Sequence, residues 1–317
     1  MSQKPRSKEV YTQKKRVLVV GVGSYIGESF AKYAQERFDV DVVDSFKEWT
    51  STPFEGYDSV LMAAGIAHQP QHDGNRDLYF AINRDLALAV AKKVKVSGVG
   101  QFIYLSSMAV YGMTEGAIDA GTEPSPRKND YYGLSKYQAE KELTRLFHSG
   151  EEIDNVKSDT KSKTTMRNLD TGGELSAGLC IIRPPMVYGP GCPGKFTTLV
   201  KVSKVLPFIP KVNNQRSMIY IDNLSELLCI VVDKAVNGVL NPHNQEYMNT
   251  TWLLSAVQGH CRRIVPGMGW LVSCVKPLSA AVRTAFGSLY YTKNAAQMPF
   301  DDNYQQVSTE ESVERSI

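Results

Sequence analysis

Tyr132 and Lys136, in the run Tyr132-Gly-Leu-Ser-Lys136, are the pair in this chain best suited to chemistry. On a helix, residues i and i+4 share a face, so the phenol and the ammonium project into one space. A cation about 4 Å from a phenolate, at an effective dielectric near 20, attracts it by about 4 kcal/mol, enough to bring a tyrosine toward general-base work. Tyr131 is the rival base, but Ser135 rather than a cation stands at its own i+4 position. The bland counterpart is a helix-surface pair, because Tyr-x-x-x-Lys arises often by chance. Ser106 and Ser107 follow the apolar run 102–105. Beyond the carboxyl end of a parallel strand, a hydroxyl can hold a reacting oxygen and share its proton with a tyrosine. The same serines would serve equally well as turn caps.

A second constellation lies near the start. The β-branched run 16–20 reads as a buried strand, and Gly21-Val-Gly-Ser-Tyr-Ile-Gly27 follows it. A strand-to-helix turn without Cβ atoms lets backbone amides approach a pyrophosphate, and the helix N-terminus favours its negative charge. Gly21, Gly23, Ser24, Tyr25, Ile26 and Gly27 are therefore candidate cofactor-binding residues. A merely tight turn would use the same glycines. Asp44 stands 17 residues after Gly27 (44−27), at the end of a second strand. There a carboxylate accepts from both hydroxyls of a ribose and repels a 2′-phosphate, which favours NAD over NADP. Taken alone, Asp44 reads as a solvated loop acid.

Elements that would position these groups follow from periodicity. Strands are expected at 16–20, 40–44, 59–64, 101–105, 179–183 and 217–221, with helices at 28–37, 77–96, 129–148 and 222–236. Strands alternating with helices imply a doubly wound α/β fold, a parallel sheet covered on both faces. The first fifteen residues read as a mobile tail and 149–178 as a polar surface insertion. Residues 16–185, with 216–236 returning to them, form the expected Rossmann domain. Residues 186–215 and 237–317, the latter with several short helices, form a smaller substrate-binding part.

Composition excludes other classes. The 317 residues, at about 150 per domain, suit one large or two small domains. A hydrophobic share of 42% can fill a core, and a net charge of +3 implies no nucleic-acid partner. The apolar stretch 265–275 is interrupted by Pro266 and falls short of the roughly 20 residues that span a bilayer. No integral membrane segment is expected, although 270–289 could lie in an interface. Five widely spaced cysteines read as reduced thiols of a cytoplasmic protein. His68 and His72, split by Pro70, read as loop residues and not as a metal site. Trp252 and Trp270 read as packing residues.

The ordered set of motifs resembles the extended short-chain dehydrogenases, specifically the NAD-dependent epimerase/dehydratase group. Its carriers are the Gly21–Gly27 turn, Ala63-Ala-Gly65, Asn83, Leu105-Ser-Ser-Met-Ala-Val-Tyr-Gly112, Tyr132-Gly-Leu-Ser-Lys136, Arg183-Pro-Pro-Met-Val-Tyr-Gly-Pro-Gly191 and Arg216-Ser-Met-Ile-Tyr-Ile-Asp-Asn-Leu224. Two positions depart from the pattern: Ser24 stands where relatives have glycine, and Met186 where many 4-epimerases have asparagine. The resemblance implies Tyr132 as acid/base, Lys136 as its partner and ligand of the nicotinamide ribose, and Ser107 as the catalytic hydroxyl. It puts Ala63, Ala64 and Gly65 along the NAD cleft and Asn83 beneath it, with Met186 at the sugar and Arg216 on the substrate diphosphate. The implied activity is 4-epimerisation of a nucleotide-activated sugar through a transient 4-keto sugar, in surface polysaccharide synthesis, and a homodimer is compatible with it. A 4,6-dehydratase would carry an Asp-Glu pair where Met108 and Ala109 stand. A nucleotide 4-keto-sugar reductase needs only the same Tyr, Lys and Ser. A non-catalytic dinucleotide-binding regulator is the remaining alternative.

Overall fold

A computed structural model describes residues 13–67, 69–148, 177–259, 264–266 and 285–317. In chain order, the first half runs β1 (Arg16–Val20), α1 (Tyr25–Ala34), β2 (Asp39–Val43), α2 (Glu48–Ser51) and β3 (Ser59–Met62). It continues through α3 (Arg76–Phe80), α4 (Ala87–Val96), β4 (Gln101–Leu105), β5 (Gly116–Ile118) and α5 (Tyr131–His148). The second half holds β6 (Gly178–Ile182), β7 (Met186–Tyr188), α6 (Lys195–Val205), β8 (Ile209–Pro210), β9 (Met218–Tyr220) and α7 (Ile221–Lys234). Then come β10 (Gly238–Leu240), α8 (Thr250–Val257), β11 (Ile264–Val265), β12 (Leu289–Tyr291) and α9 (Thr309–Glu314).

Six strands form one parallel sheet in the order β10-β6-β4-β3-β1-β2. The α/β reading of the sequence is correct. Successive residues of a strand face opposite sides, and β1 shows it. Leu18 and Val20 join Val90, Val94, Ala139 and Leu143 of α4 and α5, whereas Val17 and Val19 join Phe30 of α1 and Leu224 and Leu227 of α7. The chain moves from β1 outward to β2, then returns to β3 on the other side of β1. That reversal opens a crevice at the carboxyl ends of β1 and β3, where open α/β sheets bind ligands. A third cluster, with Tyr188, Phe196, Tyr220 and Leu253, unites β7, α6, β9 and α8, and Trp252 packs against it.

The structure corrects several boundaries. Helix α1 starts at Tyr25, not 28, because Ser24 caps it by accepting from Gly27 N–H, so the turn is shorter than the glycines suggest. The expected 77–96 helix is α3 and α4 joined by a π-helical stretch, Ala81–Leu86. Gly238–Leu240 is the sixth strand of the sheet, and Leu289–Tyr291 pairs with β5, where short helices were expected; the stretch 270–289 lies mostly outside the described residues. Residues 1–12, His68, Trp270 and nearly all of the polar insertion lie outside the described residues. His72 caps a 3-10 turn by accepting from the Asn75 backbone. Among the described residues, no helix is long and apolar enough to cross a membrane.

Gly27 lets α1 pack directly on the sheet. A Cβ there would lie 2.9 Å from Ala63 Cβ and 3.1 Å from Val19 Cγ1. Gly27→Ala should therefore cost about 1–3 kcal/mol by overpacking, measured by urea denaturation. A change below about 0.5 kcal/mol would mean that α1 is not held against β1 in this way.

Candidate active site

The crevice is lined first by the turn after β1. Gly21 takes φ +138°, and a Cβ on it would meet Ala64 N at 2.6 Å. Gly23 takes φ +79° with open space where a Cβ would be, as backbone that must face a ligand requires. Ser24, where the family pattern has glycine, ties the turn to the neighbouring strand end by donating to Ala63 O at 2.9 Å. Glu28, in the first turn of α1, accepts from Gly23 N–H at 2.8 Å. The Tyr25 ring packs against the third cluster, and Ile26 packs against both the second and the third. Those two side chains couple the glycine turn to the smaller part of the molecule.

Asp44 sits just beyond β2. Its Oδ1 accepts from the backbone N–H groups of Phe46, Lys47 and Glu48 at 2.7, 2.9 and 3.3 Å. Those bonds, Lys47 first, hold the exposed carboxyl below the usual carboxylate range. It is therefore ionised, while a hydrogen bond from Val43's neighbour Asp44 N–H to Glu48 fixes its backbone. Beyond β3, Ala63 and Ala64 are buried and Gly65 is exposed. Asn83, fully buried in the π-helical stretch, holds this loop through Ile66 N–H at 2.8 Å and Ile66 O at 3.1 Å. It also donates to Ser135 Oγ on α5 at 3.1 Å. A π turn commonly marks such a site, since its extra residue redirects one side chain.

Tyr132 and Lys136 project from the first two turns of α5 into the same crevice. The Tyr132 phenol meets the Ser107 hydroxyl, which opposes the upward push of burial on its pKa; Asp130 and Tyr79 add to that push. Lys136 is 4% exposed and donates to Leu105 O at 2.7 Å, with its Nζ 4.7 Å from the Tyr104 ring centre. Burial lowers its pKa to about 7, against the Glu140 carboxylate. Lys136 is not among the groups that shift the phenol; in the protein alone the phenol lies above its ordinary value, because burial outweighs the Ser107 hydroxyl. Tyr131 turns away and donates to Asp73. Ser106 and Ser107 have separate tasks. Ser106 is buried and donates to Glu140 Oε1 at 2.5 Å, leaving Ser107 to face Tyr132.

The second charged group lies toward the smaller part. Arg216, 8% exposed, donates to Gly287 O at 2.8 Å. Burial holds its pKa down, with Glu115 opposing. That depth excludes the exposed surface ion pair as its role. Lys195, at the start of α6, feels Arg216 and Arg127 as like charges and Asp130 as an opposite one. Asp130 in turn acts on Tyr132 and caps α5 by accepting from Gly133 N–H at 3.1 Å. Met186 pairs in register with Met218 in the β7–β9 ribbon, half-buried, two residues along from Arg216. Sequence reasoning missed Asp130, Lys195 and Glu140; only Glu140 had a signal, its i+4 spacing from Lys136.

The family model for the NAD dependent epimerase/dehydratase family matches residues 14–243, more than half of the chain. The chain belongs to that family. A UDP-glucose 4-epimerase of Vibrio cholerae is 35% identical over 230 residues, 68% of this chain and 62% of that protein. The match thus spans somewhat under two thirds of the relative's length. Two solved structures share the fold. A UDP-glucuronic acid 4-epimerase from Bacillus cereus in complex with NAD has a TM-score of 0.64 at 16% identity, covering 95% of this chain and 97% of that one. A dTDP-4-dehydrorhamnose reductase from Bacillus anthracis in complex with NADP has a TM-score of 0.61 at 18% identity, covering 96% and 99%. NAD is the cofactor that family membership gives this chain, and the crevice suits it. Any Cβ at Gly21 would collide with the Ala64 backbone, Gly23 leaves open space, and the Asp44 carboxylate beyond β2 is ionised.

Lys136 gives this site a pH signature. Its native pKa near 7 lies below the ordinary 10.5, so between those values the unfolded chain binds the extra proton. Stability contributed at this position then rises with pH across that window, by at most about 1.4 kcal/mol per unit. Relative to Lys136→Met, the wild type should gain stability from pH 7 to 10 in urea denaturation. A constant difference would show that Lys136 titrates normally.

Proposed function

We infer that this chain catalyses 4-epimerisation of a nucleotide-activated sugar, with Tyr132 as the acid/base. The observation that carries this reading is the placement of Tyr132 and the buried Lys136 one turn apart on α5, with the Ser107 hydroxyl acting on the phenol. The 35% identical relative, a UDP-glucose 4-epimerase, supports it. The amides of the Gly21–Gly27 turn and the α1 N-terminus suit the cofactor diphosphate, Asp44 its adenosine ribose and Lys136 its nicotinamide ribose. Bound NAD supplies the acceptor and later the donor of a hydride. Ser107 holds the C4 oxygen of the sugar while Tyr132 takes its proton, and the same phenol returns a proton once the sugar has presented its other face. Arg216, with Lys195 beside it, suits the substrate diphosphate, for which arginine offers a fork of donors. A reductase acting on a 4-keto sugar nucleotide would use the same Tyr132, Lys136 and Ser107. The Asp44 carboxylate counts against it where such an enzyme takes NADPH, because it repels a 2′-phosphate.

The deciding experiment is incubation of purified protein with UDP-hexoses, followed by NMR of the products. Inversion at C4 without added NADH is expected. Tyr132→Phe should lower turnover by roughly two to four orders of magnitude and Tyr131→Phe by far less. No inversion, together with NAD(P)H-driven reduction of a 4-keto sugar nucleotide, would replace the epimerase with the reductase.

Arg216 tests the nucleotide-sugar part of the reading. Arg216→Ala should weaken substrate binding by roughly 2–5 kcal/mol and leave NAD affinity nearly unchanged, as calorimetry would show. UDP should compete with the substrate in the wild type and poorly in the variant. Unaltered substrate affinity would place the diphosphate elsewhere.

A further inference from the structure

Behind the Ser107–Tyr132 contact lies a buried ion pair that the chemistry above leaves unused. Glu140 follows Lys136 by one turn of α5 and is 3% exposed. Arg183 grips it as a fork, with Nε donating to Oε1 at 3.0 Å and Nη2 to Oε2 at 2.7 Å, and Ser106 Oγ donates to Oε1 at 2.5 Å. The other arm of Arg183, Nη1, donates to the Tyr111 hydroxyl at 2.9 Å. Ser106 and Tyr111 bracket the segment that carries Ser107, whose hydroxyl caps the 3-10 turn Met108–Tyr111. Backbone bonds from Ser106 N–H to Ile182 O and from Met108 N–H to Pro184 O tie that segment to the residues on either side of Arg183.

A buried ion pair seldom adds net stability over apolar residues of the same shape, but a forked arginine–carboxylate pair fixes geometry closely. Geometry matters here, because a misplacement of about 1 Å at a catalytic contact can cost on the order of 100-fold in rate. We propose that the Glu140–Arg183 pair positions the site: it clamps both ends of the Ser106–Tyr111 segment and so sets the Ser107 hydroxyl against the Tyr132 phenol. The pair touches no reacting atom and positions Ser107; Glu140 also favours the charged form of Lys136. Its bearing on rate rests on the acid/base role given to Tyr132 above.

A double-mutant cycle tests this, using full-length protein. Glu140→Gln combined with Arg183→Met removes both charges of the pair, while Lys136 keeps its bond to Leu105 O. In the wild-type background it should lower kcat on the order of 100-fold, with KM and NAD affinity within about twofold. In a Ser107→Ala background the same pair of changes should alter kcat by less than about threefold, since the contact it serves is already gone. A readout without substrate runs alongside: NMR of protein isotope-labelled at the tyrosine Cζ, with the Tyr132 signal assigned by its loss in Tyr132→Phe. Removing the pair should move that signal to its position in Ser107→Ala, and no further when the changes are combined. Equal losses in both backgrounds, or an unmoved Tyr132 signal, would overturn the proposal and leave the pair a stability element. Coupling in the NMR cycle without turnover of any sugar nucleotide would keep the clamp and discard the epimerase. If the double variant does not fold, Arg183→Lys, which keeps the charge but loses the fork, enters the same cycle with the same outcomes.

Discussion

Burying the Lys136 ammonium is the constraint around which the site is arranged. An unpaired buried charge costs several kcal/mol, so each neighbour must either compensate it or make room for it. Leu105 O accepts from it at 2.7 Å, and the Tyr104 ring lies against it with Nζ 4.7 Å from the ring centre. Glu140, one turn along α5, opposes the loss of its proton. Gly65 leaves it room, because a Cβ there would stand 3.2 Å from Nζ and 3.1 Å from Asn83 Oδ1 and press on both. Each of these neighbours is then held in turn. Tyr104 donates to Asn83 O at 2.7 Å, and Glu140 is gripped by Arg183. One buried cation thus fixes the ends of β3 and β4, the π-helical stretch and the start of α5 relative to each other.

The sheet determines where that cation can sit. Because β3 and β2 lie on opposite sides of β1, the loops beyond β1 and β3 diverge and leave a crevice between them. The glycine turn occupies one wall and Ala63-Ala64-Gly65 the other, and the two walls are stitched together by Ser24 donating to Ala63 O. Ser24 therefore does structural work where the family pattern has glycine. Its hydroxyl caps α1 and braces β3, two bonds that a glycine could not make. The departure from the pattern leaves the cradle intact, since Gly21 and Gly23 supply the positive φ values.

What could be read from the sequence follows from how local each signal is. The strands 16–20 and 101–105 and the Tyr132–Lys136 pair depend on spacing within one element, and the structure places them as expected. The glycine turn was expected to run to Gly27, but Ser24 caps α1 before it, and Gly27 sits inside the helix where a Cβ would press on Ala63 and Val19. The π-helical stretch had no periodic signature, being one residue's excess in a long amphipathic run. Short strands such as β5 and β12 exist only through pairing with partners far along the chain, which no window of sequence contains. The motif resemblance singled out Ser107 over Ser106, but the bond that holds Ser106, to Glu140 on a helix more than thirty residues away, had no signal in the sequence.

The same contrast separates the chemistry from its substrate. Tyr132, Lys136, Ser107 and Asn83 are anchored to the six-stranded sheet and its helices, where burial and hydrogen bonds fix every neighbour. Arg216 and Met186 belong instead to two- and three-residue ribbons: Arg216 bridges to Met248 and Leu289, and Met186 pairs with Met218. Ribbons of that length contribute few bonds of their own and take their position from the cluster around Tyr188 and Tyr220. A residue on them can change without disturbing the six-stranded sheet. A fold built this way can keep one reaction while varying the sugar nucleotide, because function is grafted onto a scaffold that does not depend on it. Met186 stands on such a ribbon, half-buried and paired with Met218, outside the six-stranded sheet.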